Sequence, residues 1–536
     1  MDYEVGIIGA GFGGIIAALA LKRSGRDSFV IFERAAEIGG VWRDNVYPGC
    51  ACDVRSHLYS LAGQSNPSWT TSYASQPEIL HYLQDLVARE NLRKHIELGA
   101  NVSEIRFIEP DGCWQVYTDG HPGCRVRTII LALGPHSRPW MPSIAGMAAF
   151  RGASFHSSRW DRSLDFTGRR VAVVGTGASA IQIVPNIAPL VSELFLFQRT
   201  PAWIIPRGDR KISAFEKWLF ERLPVAQSLS RAAIYWLTEF VGMAFHGNAP
   251  LNRLLTRIAL RKLAREVNDP ETRKRLTPGY KIGCKRVLIS DDFYPALNRS
   301  NVHLVTDEIQ SVTPQGIQTA DGVLREVDAI IYATGFIVAD TDDYLRVVGR
   351  SGRVLTQEWE QNGTEAHLGV NVAGFPNLAI LLGPNSGLAH SSALHVMESQ
   401  MNYVVGYLAK LERLRENEFL DVKPGVQREY NQDLQERLKR TAWSAGCRSW
   451  YLNRNGKNTT IFPGLTWQYR SLLKAFRPDD YEAVTASRDL EPQAAYSYSR
   501  DSTSLPRTAD SAGRRLARNA TPTITGSRKS ANPNGK

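Results

Sequence analysis

Two glycine-rich turns hold the first residues whose spacing suggests chemistry. Gly9-Ala10-Gly11-Phe12-Gly13-Gly14 and Gly175-Thr176-Gly177-Ala178-Ser179-Ala180 each follow an apolar run and open a helical one. Gly9 permits a tight turn, Gly11 lets the backbone approach a pyrophosphate, and Gly14 lets helix and strand pack closely. The phosphates would lie against a helix N-terminus, where free N–H groups and the dipole favour negative charge. Gly175 and Gly177 repeat the pattern, with Ala180 a permitted substitute at the third glycine position. The two sites differ twenty-four positions after their first glycine. The first has Glu33, whose carboxylate can accept both ribose hydroxyls and would repel a 2′-phosphate. The second has Arg199, a planar fork of donors suited to a 2′-phosphate, followed by the hydroxyl of Thr200. Two different dinucleotides are expected, the second NADPH rather than NADH.

These turns need strands to hold them. Tyr3–Gly9 and Arg170–Gly175 read as buried strands, Phe29 to Phe32 is another that ends in Glu33, and Ala329 to Thr334 runs into Gly335. Strand alternating with helix predicts an α/β fold with two doubly wound, Rossmann-like dinucleotide-binding domains. Between Ala214 and Arg275 the apolar period becomes helical, which predicts a helical insertion. The expected division is a first dinucleotide domain 1–145, an NADPH-type domain 146–200, insertion 201–275, then 276–328 returning to the second domain and 329–485 to the first. Residues 486–536, rich in Ser, Arg, Ala, Thr and Pro, read as a disordered tail. The apolar stretch Ala232 to Phe245 is interrupted by Glu239 and is too short to span a bilayer. It reads as a buried or substrate-lining helix, with surface membrane contact the alternative.

Composition narrows the classes. The chain has 536 residues, 43% hydrophobic and 22% charged, which suits a globular protein of two or three units. Of its net charge of +11, residues 487–536 contribute +5 through nine Lys/Arg against four Asp/Glu. No basic helix or aromatic–basic module appears, so nucleic acid is not an expected partner. Six cysteines in a chain this long make no disulfide framework and are expected as reduced thiols in a cytoplasmic protein. No charged segment with an apolar run precedes the strand at Tyr3, so no cleaved signal is expected. No metal site is expected either, since His156 has no carboxylate or second histidine at ligand spacing.

A longer motif is more specific. Phe150-Arg151-Gly152-Ala153-Ser154-Phe155-His156-Ser157-Ser158-Arg159-Trp160-Asp161 resembles the F-x-G-x-x-x-H-x-x-x-W-[PD] fingerprint of type I Baeyer–Villiger monooxygenases. Gly39-Gly40-Val41-Trp42 with Tyr47-Pro48-Gly49 and Asp53 matches a second fingerprint of that family. Phe197-Gln198-Arg199-Thr200-Pro201, Gly283-Cys284-Lys285-Arg286, Gly374-Phe375-Pro376-Asn377 and Cys447-Arg448-Ser449-Trp450 follow in the family's order, so the resemblance spans residues 1–475.

The resemblance implies FAD in the first site and NADPH in the second, with hydride passing from NADPH to FAD. It implies a C4a-peroxyflavin that uses O2 to insert one oxygen atom beside a ketone carbonyl, giving an ester or lactone. Arg286 would stabilise the peroxide anion and the developing oxyanion, and Asp53 would orient it. Further cofactor contacts are implied at Val41, Trp42, Cys52, Asp53, Tyr59, Val102, Thr176, Ser179 and Gln182. Lys285 would join Arg199 and Thr200 around the 2′-phosphate, and Trp450 would sit in a loop that closes over bound NADP+. His156 and Trp160 would link the two dinucleotide domains without touching substrate. Cys50-Ala51-Cys52 before Asp53, and the loop Trp450 to Asn458, depart from the family's usual residues. They place the chain in a divergent branch, with secondary metabolism its expected setting. The apolar and aromatic residues of 203–245 suggest a pocket for a bulky, hydrophobic ketone. The alternative is the same machinery oxidising nitrogen or sulfur or hydroxylating its substrate. A flavin disulfide reductase is disfavoured, because Cys50-x-Cys52 has the wrong spacing.

Overall fold

The computed structural model describes residues 1–338 and 345–486. Its first sheet grows from β1 (Tyr3–Ile8), with Val5, Ile7 and Ile8 buried. After α1 (Phe12–Arg23) the chain returns as β2 (Phe29–Glu33), parallel to β1 from Val5↔Phe29 to Ile8↔Phe32. Helices α2 (Val41–Asp44) and α3 (Gln76–Arg89) precede β3 (Ile96–Leu98), which pairs with β2. An antiparallel meander of β4 (Val102–Ile108), β5 (Cys113–Thr118) and β6 (His121–Leu131) then brings β6 back parallel to β1. Two late strands complete this sheet, Arg346–Val348 beside β4 and Leu378–Ile380 beside β6. α1 packs against the helix Ala393–Leu411 over the sheet. Strands covered in this way read as unbroken apolar runs rather than alternating ones.

The second sheet collects β7 (Ala153–His156), β8 (Arg170–Val174) and, after α4 (Ala180–Ile187), β9 (Glu193–Phe197). A short pair, β10 (Ile204–Ile205) with β11 (Leu288–Ile289), stands apart from it, and β12 (Val302–Val305) closes its edge. The order is β12, β9, β8, the strand Ala329–Tyr332, then β7, all parallel. The strand Ala329–Tyr332 corrects the expected return to the first domain at 329. It lies between β8 and β7, from Ala329↔Val171 to Tyr332↔Val174, and among the described residues the chain rejoins the first sheet at Arg346. Its four residues are all buried, and an all-apolar strand fits either parallel sheet equally well.

The insertion consists of α5 (Ala214–Arg222), α6 (Pro224–Gly242), α7 (Ala249–Glu266) and α8 (Pro270–Leu276). Ser213 and Glu216 form a capping box at α5, Pro224 opens α6, and Asn248 and Asp269 cap α7 and α8. The reading of Ala232–Phe245 as a buried or substrate-lining helix is overturned. Trp236, Leu237 and Phe240 are each more than half exposed, whereas Gln227, Tyr235 and Glu239 are buried. Polar partners on the body explain this orientation. Gln227 Nε2 donates to Asn66 O at 2.7 Å, Arg231 Nη1 donates to His57 O at 2.9 Å, and Glu239 lies 3.3 Å from His390 Nε2.

The expectation of six reduced thiols is also corrected, because Cys284 and Cys447 form a disulfide across 163 positions. A pairing that distant leaves no spacing signal in the chain. Cys50, Cys52, Cys113 and Cys124 are free. The expected tail lies outside the described residues except for Ala486, which is buried and donates its N–H to Asn417 O. Among the described residues no helix is long and apolar enough to cross a membrane.

Candidate active site

The first glycine turn borders a cavity of about 210 Å³ lined by Gly9, Gly11, Glu33 and Val102 among others. Gly9 has φ +107°, and a Cβ there would stand 2.7 Å from Ala132 O. A Cβ on Gly14 would meet Gly9 O at 1.9 Å, so only glycine lets α1 close on the turn. Glu33 ends β2 with its carboxylate fixed. Oε2 accepts from Ala10 N at 2.9 Å, and Oε1 accepts from Ala35 N and Arg43 Nη1, both at 3.0 Å. A helix N-terminus facing a fixed carboxylate across a narrow cavity fits the phosphate and ribose ends of an adenine dinucleotide.

This cavity shares walls at Val41, Trp42, Tyr59 and His136 with a larger one of about 520 Å³. Trp42 Nε1 donates to the Tyr59 hydroxyl at 2.9 Å, bracing that shared wall. Cys52 is buried beside Asp53, and burial raises its thiol well above the usual range. The second fold contributes Ser179 and Gln182 from the start of α4. Gln182 bridges the folds: its Oε1 accepts from Tyr47 at 3.1 Å, and its Nε2 donates to Ala51 O at 3.0 Å. Leu355, Trp359, Leu388, Trp450 and Tyr451 add apolar surface to the larger cavity. No residue of 201–275 lines either cavity, so the expectation that 203–245 shapes the substrate pocket is not met at these two cavities. Of those apolar residues, Trp218, Leu229, Trp236, Leu237 and Phe240 face outward, whereas Trp203, Ile204, Ile212 and Phe245 pack into the cores of the body.

Arg286 and Asp53 face this cavity as an ion pair, Arg286 Nη2 donating to Asp53 Oδ2. Burial pushes the Asp53 carboxyl up, but the charge and hydrogen bond of Arg286 outweigh it and hold Asp53 below the usual carboxylate range. Attraction to Asp53 raises the Arg286 guanidinium further still. His136 shares the same wall. Burial, then the charge of Arg286, lowers its imidazole to about 4. Its ring lies 5.5 Å from Phe336 and 5.9 Å from Trp450. Sequence reading missed His136; its signal is its place just past β6, where a central parallel strand delivers residues to a ligand crevice.

The second glycine turn repeats the first. Gly175 has φ +111°, with a would-be Cβ 2.5 Å from Ala333 O, while Gly177 has open space around it. Ala180 is fully buried at the start of α4, and Thr176 Oγ1 donates to Thr200 O at 3.0 Å. Lys285 is lowered from its usual range by burial and then by the neighbouring charge of Arg199. Among the described residues neither cation has a carboxylate partner. Lys285 Nζ instead lies 5.0 Å from the Tyr280 ring. Two adjacent cations without a counter-charge, close to a nucleotide-binding turn, fit a 2′-phosphate.

Residues 2–341 match the flavin-binding monooxygenase-like family. A Baeyer–Villiger monooxygenase of Pseudomonas aeruginosa is 44% identical over 484 residues, 90% of this chain and 92% of that protein. The chain belongs to the type I Baeyer–Villiger monooxygenases. Two solved structures agree, each covering 90% of this chain and 99% of theirs. OTEMO in complex with FAD and NADP superposes with TM-score 0.80 at 27% identity. Closed cyclohexanone monooxygenase does so with TM-score 0.80 at 28% identity. This Baeyer–Villiger monooxygenase therefore has the two Rossmann-like folds of its relatives and takes FAD and NADPH as cofactors.

The fingerprint histidine stays off the cavity wall. His156 Nε2 lies 2.9 Å from Gly335 O, its Nδ1 accepts from Ser158 N at 3.1 Å, and its ring packs on Phe336, which does line the cavity. Trp160 packs on Phe155 and Phe166 in the second fold's core.

Proposed function

We propose that this enzyme inserts one oxygen atom of O2 beside the carbonyl of a hydrophobic ketone and releases an ester or lactone. The balance is ketone, O2, NADPH and a proton giving ester, NADP+ and water. One observation carries the reading: a charged Arg286–Asp53 pair faces the larger cavity, next to the wall shared with the first dinucleotide site. Bound FAD, reduced by NADPH, supplies the electrons that activate dioxygen. Arg286 places a permanent positive charge where negative charge develops on oxygen as the carbonyl is attacked, stabilising that anion. Asp53 holds the guanidinium in one orientation and compensates its burial. His136, neutral above about pH 4, offers Asp53 no second cation to pair with. Lys285, Arg199 and Thr200 would hold the 2′-phosphate, Glu33 the ribose of FAD, and Trp450 a side of the cavity next to His136. Leu355, Trp359 and Leu388 support a hydrophobic substrate, because such a wall has no partner for a charged one.

The test is product analysis with isotopically labelled O2 across panels of ketones, sulfides and amines. The expected product is an ester carrying one labelled atom. Turnover of sulfides or amines without any ester would refute the proposal.

A further inference from the structure

An ordinary surface helix turns its apolar stripe inward and its charges outward. α6 does the reverse. Val225, Leu229, Ala233, Trp236 and Phe240 recur at i, i+4, i+8, i+11 and i+15, a single stripe, and all five are exposed. Gln227, Arg231, Tyr235 and Glu239 recur on the opposite side and face the body. Arg231 and Glu239 are the helix's only charged residues, so its outer face carries none. Phe215 and Trp218 of α5 extend the apolar surface, stacked at 5.8 Å and both more than half exposed. An exposed helix face that is apolar along its whole length is a docking face.

Charge identifies what docks. Residues 201–275 hold fourteen Lys/Arg against seven Asp/Glu, a net +7, whereas the rest of 1–486 sums to −1. Arg253, Arg257 and Arg261 recur at i, i+4 and i+8 on the exposed side of α7, and none of them makes an ion pair among the described residues. A second copy of this chain would bring the same +7 against itself. An anionic lipid surface accepts both features at once: apolar side chains enter the acyl boundary and arginines meet the headgroups. We infer that the helical insertion docks this enzyme peripherally on anionic membranes, with α6 lying flat in the interface. Tryptophan at positions 218 and 236 suits that boundary, where one part of the indole is apolar and another is wet.

The experiment is co-sedimentation of the full-length, FAD-loaded enzyme with vesicles. One set is phosphatidylcholine mixed with phosphatidylglycerol, the other phosphatidylcholine alone. The enzyme is expected to pellet with the anionic vesicles, and less so at high salt. Burying one large apolar side chain corresponds to roughly a tenfold to hundredfold change in partition, so Leu229→Glu with Trp236→Glu should lower binding by at least about tenfold. FAD content and NADPH oxidation should not change, because neither residue lines a cavity. If that variant loses FAD through misfolding, Arg253→Glu with Arg257→Glu and Arg261→Glu tests the electrostatic part of the inference on another helix of the insertion and should also abolish pelleting. Three results would overturn the inference: no pelleting at low salt, binding unchanged in folded variants, or a solution dimer that Leu229→Glu dissociates while vesicles go unbound.

Discussion

Replacing Arg286 with alanine separates the two half-reactions most cleanly. The variant removes the cation paired with Asp53 and leaves the glycine turns, Glu33, Arg199 and Lys285 in place. Reduction of bound FAD by NADPH should therefore proceed as in the parent enzyme. Oxygenation should not. Losing a preorganised group that stabilises a developing oxyanion costs about 2.7–4 kcal/mol, or roughly 10²–10³ in rate. Asp53 adds to the loss, because burial then acts on its carboxyl without the main charge that opposes it and favours protonation. Arg286→Lys keeps a charge without the planar fork and should fall between the parent and alanine. Anaerobic stopped-flow follows bleaching of the flavin, and chromatography follows the ester. NADPH should still be consumed, its electrons appearing as hydrogen peroxide. Ester formation by Arg286→Ala within about tenfold of the parent rate would refute the electrostatic role.

Three further predictions follow from the same geometry. Lys285→Ala removes a charge-assisted contact worth about 1.5–3 kcal/mol, so the KM for NADPH should rise roughly tenfold to hundredfold while that for NADH stays put; equal rises would contradict the 2′-phosphate assignment. The Cys284–Cys447 bond closes 163 positions and is worth up to about 5 kcal/mol in the chain-entropy account. Dithiothreitol and Cys447→Ser should thus lower the thermal midpoint alike, and a midpoint indifferent to both would show the bond absent in solution. His136 takes up its proton near pH 4 when folded but near its ordinary value when unfolded. The unfolded chain therefore binds more protons between those values, and stability is lost as pH falls through that window. His136→Gln should flatten that part of the midpoint-versus-pH curve, and an unchanged slope would mean that His136 is not held neutral.

The parts legible in the sequence were those that short stretches of backbone dictate. A turn in which the Cβ of Gly14 would strike Gly9 O leaves no choice of residue, and Glu33 and Arg199 follow at fixed distances because strand and helix lengths fix them. Arg286 and Asp53 were named through a family resemblance, and the folded chain does pair them across 233 positions. Misreadings came where distant partners decide. Apolar residues in α6 read as core from the sequence, yet the polar stripe is the one that finds partners, at Asn66, His57 and His390. The strand Ala329–Tyr332 suits either sheet, and Cys284 and Cys447 meet across 163 positions. His136 carries no motif; only its position after β6 brings it to Arg286.

No residue of the insertion lines either of the two cavities at the dinucleotide turns, whereas Leu355, Trp359, Leu388, Trp450 and Tyr451 line the larger one. The stretch that most alters the outer surface is thus separate in the chain from the stretches that shape the reaction chamber. Exchanging α5–α8 among relatives should retarget where the enzyme resides without altering what it accepts, and libraries aimed at new ketones belong in 345–388 and 450–461. Surface and chamber can evolve on separate schedules within one polypeptide.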